Sequence, residues 1–113
     1  MAKLSRFKNI VTSSKKHLET SKKEIVINED DKKNILNDFK NNRFLVGSFE
    51  LEILDVTNAF RIIIKETPCV AIDLLATKEI QKIADKYETN DYELVYIICN
   101  IDKTHSAVEF QAI

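Results

Sequence analysis

The chain has 113 residues, 44% of them apolar and 31% charged, with one glycine, one proline, two cysteines and a formal net charge of −1. That length and apolar share support one domain with a single core and exclude a disordered chain, while a lone glycine excludes the Gly-rich phosphate loops of nucleotide enzymes. The near-zero total hides an asymmetry: residues 1–23 hold seven Lys or Arg and one acid, Glu19, whereas residues 24–113 hold ten bases and seventeen acids. A basic arm precedes an acidic body, and such a dipole speaks to partners more than to chemistry.

Leu4, Phe7, Val11 and Leu18 recur at multiples of three and four and predict a helix over residues 2–22. Lys3, Lys8, Lys15, Lys16 and Lys22 fill its other faces, and Ser13-Ser14 weaken its middle. EIVIN, residues 24–28, reads as a short strand. A helix over 30–41 follows, capped by Asn28 or Asp30, with Glu29, Asp30 and Asp31 at its positive end and Ile35, Leu36 and Phe39 as its apolar face. It stops in Asn41-Asn42. Residues 43–56 read as one long strand, with Leu45, Gly47, Phe49, Leu51 and Ile53 on one side and Phe44, Val46, Ser48, Glu50 and Glu52 on the other. Gly47 marks a bulge or bend in it.

Thr57-Asn58 turn the chain into a strand over residues 59–65. Glu66-Thr67-Pro68 turn it again into CVAIDL, residues 69–74, a further strand. Thr77 is the expected cap of a helix over 78–88, whose stripe is Ile80, Ile83, Ala84 and Tyr87. Residues 92–101 are apolar on both faces and read as a central, covered strand. Asp102-Lys103-Thr104 turn into a closing strand over 105–113, with Val108 and Phe110 on one face.

The order βαββ thus occurs twice, and a shift of 45 residues places Ile27 on Ile72, Lys33 on Lys78, Ile35 on Ile80, Ile53 on Ile98 and Ile63 on Val108. Internal similarity must exceed composition to count as a repeat, and these identities are few. The expected fold is α+β: a mostly antiparallel sheet of about six strands with an N-terminal helix and two further helices, in the order α-βαββ-βαββ. Residues 1–23 form a basic helix or arm, and residues 24–113 a single α+β domain. The arm or a second copy of the chain would cover the sheet's other face.

No apolar run approaches the roughly 18 residues of a membrane span, and the N-terminus lacks the apolar core of a signal peptide. A cytoplasmic protein is expected, with Cys69 and Cys99 as reduced, buried structural thiols. Cys99, Asp102 and His105 cluster at the last turn, and a tight hairpin would set Cys99 opposite His105. Thiol catalysis needs such a base, but the apolar setting of Cys99 raises a thiol pKa. No His spacing matches a metal site, and Glu50 and Glu52, with Glu93 near them in the sheet, read as a solvated edge rather than an acid–base pair. No catalytic residue, metal or cofactor is expected.

The sequence therefore points to a non-enzymatic protein-binding module, of inhibitor, immunity or accessory type. It would act through a sheet edge and the basic arm, whose contact residues would be Lys3, Arg6, Lys8, Lys15, Lys16, Lys22 and Lys23. The expected partner is another protein or a second copy of the chain. Two other functions fit the same residues. The arm would neutralise nucleic-acid phosphates, although a single Arg and a single aromatic in it speak against base readout. The two βαββ halves would alternatively frame a groove for a small ligand.

Overall fold

The structure, a computed structural model, describes residues 24–113. The predicted helix over 2–22, and with it Lys3, Arg6, Lys8, Lys15, Lys16, Lys22 and Lys23, lies outside the described residues.

Helix α1 runs Glu29–Lys40. Asn28 is its N-cap: the side chain accepts the Asp30 N–H at 2.8 Å, and three acids occupy the first turn, where unpaired N–H groups favour negative charge. Its exit is tied by Asn42, whose amide donates to the Phe39 carbonyl and whose Oδ1 accepts the N–H groups of Phe44 and Leu45 at 2.7 and 2.8 Å. This knot, followed by Gly47 at φ 123°, consumes residues 42–47, so β1 begins only at Ser48 and runs Ser48–Ile53. The long strand predicted from residue 43 is shorter for that reason.

Strand β2 runs Ala59–Lys65 and is followed by a 3-10 turn at Cys69–Ala71, helix α2 at Leu74–Lys86, strand β3 at Leu94–Asn100 and strand β4 at Ser106–Ala112. All pairings are antiparallel and the order across the sheet is β1-β2-β4-β3.

The α+β class and the antiparallel sheet agree with the sequence reading, but the described residues hold four strands and two α-helices instead of about six strands and three helices. Neither EIVIN nor CVAIDL is a strand. EIVIN is extended but joins no ladder: Ile27 N–H donates to the Thr57 carbonyl at 3.1 Å, Thr57 Oγ1 donates to the Ile25 carbonyl, and the Ile27 side chain enters the core. CVAIDL is coiled tightly by the Ala71 and Ile72 N–H groups donating to the Pro68 and Cys69 carbonyls at 2.9 and 3.1 Å. Asp73, not Thr77, then caps α2 by accepting the Ala76 N–H at 2.8 Å, and the helix begins at Leu74, four residues before the predicted start. The third correction concerns β3, which lies at an edge of the sheet and not at its centre.

Residues paired across a ladder share a face, so the register sorts the side chains. One face carries Phe49, Leu51, Phe60, Ile62, Ile64, Val108, Phe110 and Leu94, and both helices pack on it, α1 over β1 and α2 over β3. Phe60, Ile62, Ile64, Val108 and Phe110 are fully buried there, as are Ile35 and Phe39 of α1 and Ile80 of α2. Each such side chain contributes about 1.5–3 kcal/mol by leaving water. Phe39 sits at the centre, its ring edge-on to Phe44, Phe49 and Phe110 at 5.9–6.2 Å, with Phe60 stacked on Phe110 at 5.4 Å. Asp38 ties the two helices by accepting hydrogen bonds from Tyr87 OH at 2.7 Å and Lys86 Nζ at 3.1 Å. That carboxylate holds the Lys86 ammonium above its usual range, while burial first and Asp38 second push up the Tyr87 phenol.

The element order that recurs is αββ, not βαββ. The two N-caps, Asn28 and Asp73, are 45 residues apart, and so are the buried Ile35 and Ile80. β1 and β3 keep that spacing, with Phe49 and Leu51 matching Leu94 and Tyr96 on the helix-covered face, whereas β2 and β4 do not. Ile62 pairs with Val108 and both face the core, whereas Ile63, which the shift of 45 places on Val108, faces the other way. In β2 and β4 the core residues are all even-numbered, so the odd shift of 45 puts core residues of one on outward residues of the other.

Candidate functional site

Among the described residues no helix covers the second face of the sheet, and that face divides into a charged half and an apolar half. On β1, β2 and β4 it carries ion pairs. Arg61 Nε donates to Glu109 at 2.9 Å, and its Nη1 lies 3.5 Å from Glu52. Lys65 meets Glu50 at 2.9 Å, and Gln111 donates to Glu109. The Lys65 hydrogen bond holds the Glu50 carboxyl below the usual carboxylate value. Glu109 is lowered in the same direction, by Gln111 first and by Arg61, and in return Glu109 holds the Arg61 guanidinium up. Glu93 is not near Glu50 and Glu52: it pairs with Ile113 at the far edge, across the whole width of the sheet. The predicted solvated carboxylate edge is thus real at β1, with each acid matched to a base.

The other edge has no such dressing. Strand β3, LVYIICN, contains no charged residue and no proline. It carries Val95, Ile97 and Cys99 on the uncovered face, and Ile97 is 47% exposed. Native proteins shield edge strands with charges, prolines, bulges or a covering element, because an unpaired row of N–H and C=O groups templates pairing with another chain. Among the described residues β1 shows this shielding and β3 lacks it. The apolar surface continues past the end of the strand at Ile101 and at Val70, which is 94% exposed on the 3-10 turn beside β3. Leu74 and Leu75 open α2 in the same exposed state. A shallow depression of about 450 Å³ lies there, lined by Pro68, Cys69, Val70, Asn100, Asp102 and Lys103.

The chemical candidates come apart in the structure. Cys99 is opposite Ala107, and His105 is opposite Ile101, so the hairpin does not set thiol against imidazole. His105 Nδ1 instead lies 3.1 Å from Asp102 Oδ1, which also accepts the backbone N–H groups of Thr104 and His105. These bonds, Thr104 first, hold the Asp102 carboxyl below its usual value. The group is a turn lock. Cys69 and Cys99 are free and half-buried, not fully buried as the sequence suggested. Among the described residues no group of three or more His, Cys, Asp or Glu could hold a metal ion, and no helix is long and apolar enough to cross a membrane.

Sequence reasoning missed the β3 edge because it took a doubly apolar strand for a central one. The available signal was the absence of any charge between Glu93 and Asp102, which marks either a covered strand or an interface. Comparison with known protein families, with curated proteins and with solved structures gave no match.

Proposed function

We propose that the chain is a non-enzymatic protein-binding module whose docking site is the β3 edge, and that its basic arm steers the encounter. One observation carries this reading: of the two edges, β1 is laced with Glu50–Lys65 and Glu52–Arg61 pairs, whereas β3 is uncharged and half-exposed at Ile97. An incoming strand would add main-chain hydrogen bonds for affinity, and alternate side chains would supply specificity. The seven bases of residues 1–23 would raise the association rate with an acidic surface without reading a sequence. Nucleic-acid binding through the arm and small-ligand sensing have no observation of their own among the described residues and stand behind this reading.

The test is amide hydrogen exchange by NMR on the full chain at low concentration. The amides of Val95 and Ile97, bonded into the sheet, are expected to be protected, and those of Tyr96 and Ile98 to exchange at nearly the rate of an open chain. Protection of all four in a monomer would show the edge already covered and would remove the docking site.

A further inference from the structure

The docking reading leaves the partner's identity open, and the geometry of the edge supplies it. Glu93 and Ile113 exchange both backbone hydrogen bonds at 2.9 Å, and Ile101 N–H donates to the His105 carbonyl. In an antiparallel ladder bonded and non-bonded pairs alternate. The odd-numbered residues of β3 therefore bond to β4. The N–H and C=O groups of Leu94, Tyr96, Ile98 and Asn100 point out of the sheet, with no partner strand among the described residues.

We propose that this edge pairs with the same edge of a second copy, antiparallel, with a two-fold axis at Ile97. The proposal rests on the docking reading above. In this register Leu94 faces Asn100 of the second copy and Tyr96 faces Ile98. All four outward residues of each strand are used, in about eight inter-chain hydrogen bonds. Sliding the pairing by one step in either direction leaves one of the four unused within the strand. Side chains also match. Tyr96 lies against Ile98 on the helix face. Ile97 meets its own copy and Val95 meets Cys99 on the uncovered face, so the apolar patch doubles and runs unbroken across the junction.

The lack of charge fits a second copy as the occupant. A two-fold axis brings each residue close to its own copy, so a self-pairing strand must avoid like charges, and Leu94–Asn100 has none. The same operation at β1 would crowd Glu50 and Glu52 against Glu50 and Glu52. A C2 interface of this kind is isologous and closes, so it ends at a dimer and does not propagate a fibre.

The experiment measures the mass of the full-length chain by light scattering, together with two variants. Ile97→Lys puts two ammonium groups face to face at the axis, and because Ile97 is 47% exposed the variant keeps its fold, which circular dichroism checks. Its dimer dissociation constant is expected to rise about tenfold or more. Ile97→Cys, in a chain also carrying Cys69→Ser and Cys99→Ser, is expected to oxidise to a covalent dimer. A non-hydrogen-bonded pair sets its Cα atoms about 4.5 Å apart, inside the disulfide range. Wild-type Cys99, which faces Val95 of the other copy, is expected not to cross-link. A dimer that withstands Ile97→Lys and gives no cross-link from Ile97→Cys overturns pairing at this edge. A monomeric wild type also overturns it, and hydrogen exchange then separates the two readings. Fast Tyr96 and Ile98 amides keep the docking edge for a different protein, whereas protected ones remove the docking edge as well.

Discussion

Gly47→Ala is expected to be among the most damaging single-atom-scale changes in this chain. Gly47 has φ 123°, a conformation L side chains rarely adopt. A Cβ built there lies 2.0 Å from the Lys65 carbonyl oxygen and 3.2 Å from its carbon. That carbonyl belongs to the last pair of the β1–β2 ladder, Ser48 with Lys65, so it cannot swing away without opening the sheet. Adjacent loop atoms are also fixed, since Thr67 Oγ1 donates to the Val46 carbonyl. Backbone strain alone costs about 1–3 kcal/mol, and the displaced carbonyl adds to it, so a loss of about 3 kcal/mol is expected. For a domain of this size each kcal/mol lowers Tm by about 4–8 °C, giving a fall of more than about 10 °C. Urea unfolding followed by circular dichroism, at one fixed protein concentration because a dimer's stability depends on it, measures the change. The neighbouring Val46→Ala, at a side chain 80% exposed, serves as control and is expected to stay within about 0.5 kcal/mol. Gly47→Ala within about 1 kcal/mol of wild type would refute the argument that this turn requires a glycine.

Phe39→Ala removes the ring that meets Phe44, Phe49 and Phe110, and a loss of about 3–5 kcal/mol in the same unfolding assay is expected, against under 1 kcal/mol if the ring were peripheral. Asp73→Ala removes the cap of α2 and is expected to cost about 1 kcal/mol, whereas Thr77→Val, one turn inside the helix, is expected to cost less; the reverse order would restore the predicted later start. Glu109→Gln tests the pH dependence. The folded carboxyl is held below its usual 4.5 by Gln111 and Arg61, so its contribution is present above that value and fades as pH falls through the lower folded value. The wild type is therefore expected to lose stability below about pH 4.5 more steeply than Glu109→Gln, and identical acid limbs in a titration of unfolding free energy would contradict the assignment.

Where a segment's periodicity and its local chemistry agree, the sequence predicts the structure. Helix α1 is found within one residue of its predicted bounds, since Asn28 caps it, three acids follow and Ile35, Leu36 and Phe39 make one face. β2 matches in full, and Gly47 does bend the chain. The misses share a cause. EIVIN and CVAIDL are apolar, short and β-branched, which satisfies a strand pattern equally well when the segment lies over the core without a ladder partner. Whether such a run pairs depends on which backbone groups come within reach, and that is decided by tertiary placement: Thr57 takes the bonds of Ile25 and Ile27, and Pro68 coils the next segment. The Cys99–His105 pairing misses for a related reason, because the hairpin register follows the Asp102 turn, which sets His105 against Ile101. The shielding of the β1 edge was legible as Glu50 and Glu52. The bareness of β3 was visible only as missing charge, whose meaning changes with strand order.

The most direct test is the mass of the wild-type full-length chain in solution at low and at high salt. A particle of twice 13.1 kDa, unchanged by salt, is the expected result, because the β3 interface is built of backbone hydrogen bonds and uncharged side chains. A 13.1 kDa monomer in both conditions, or a dimer that dissolves as salt rises, would contradict it and move the interface away from the β3 edge.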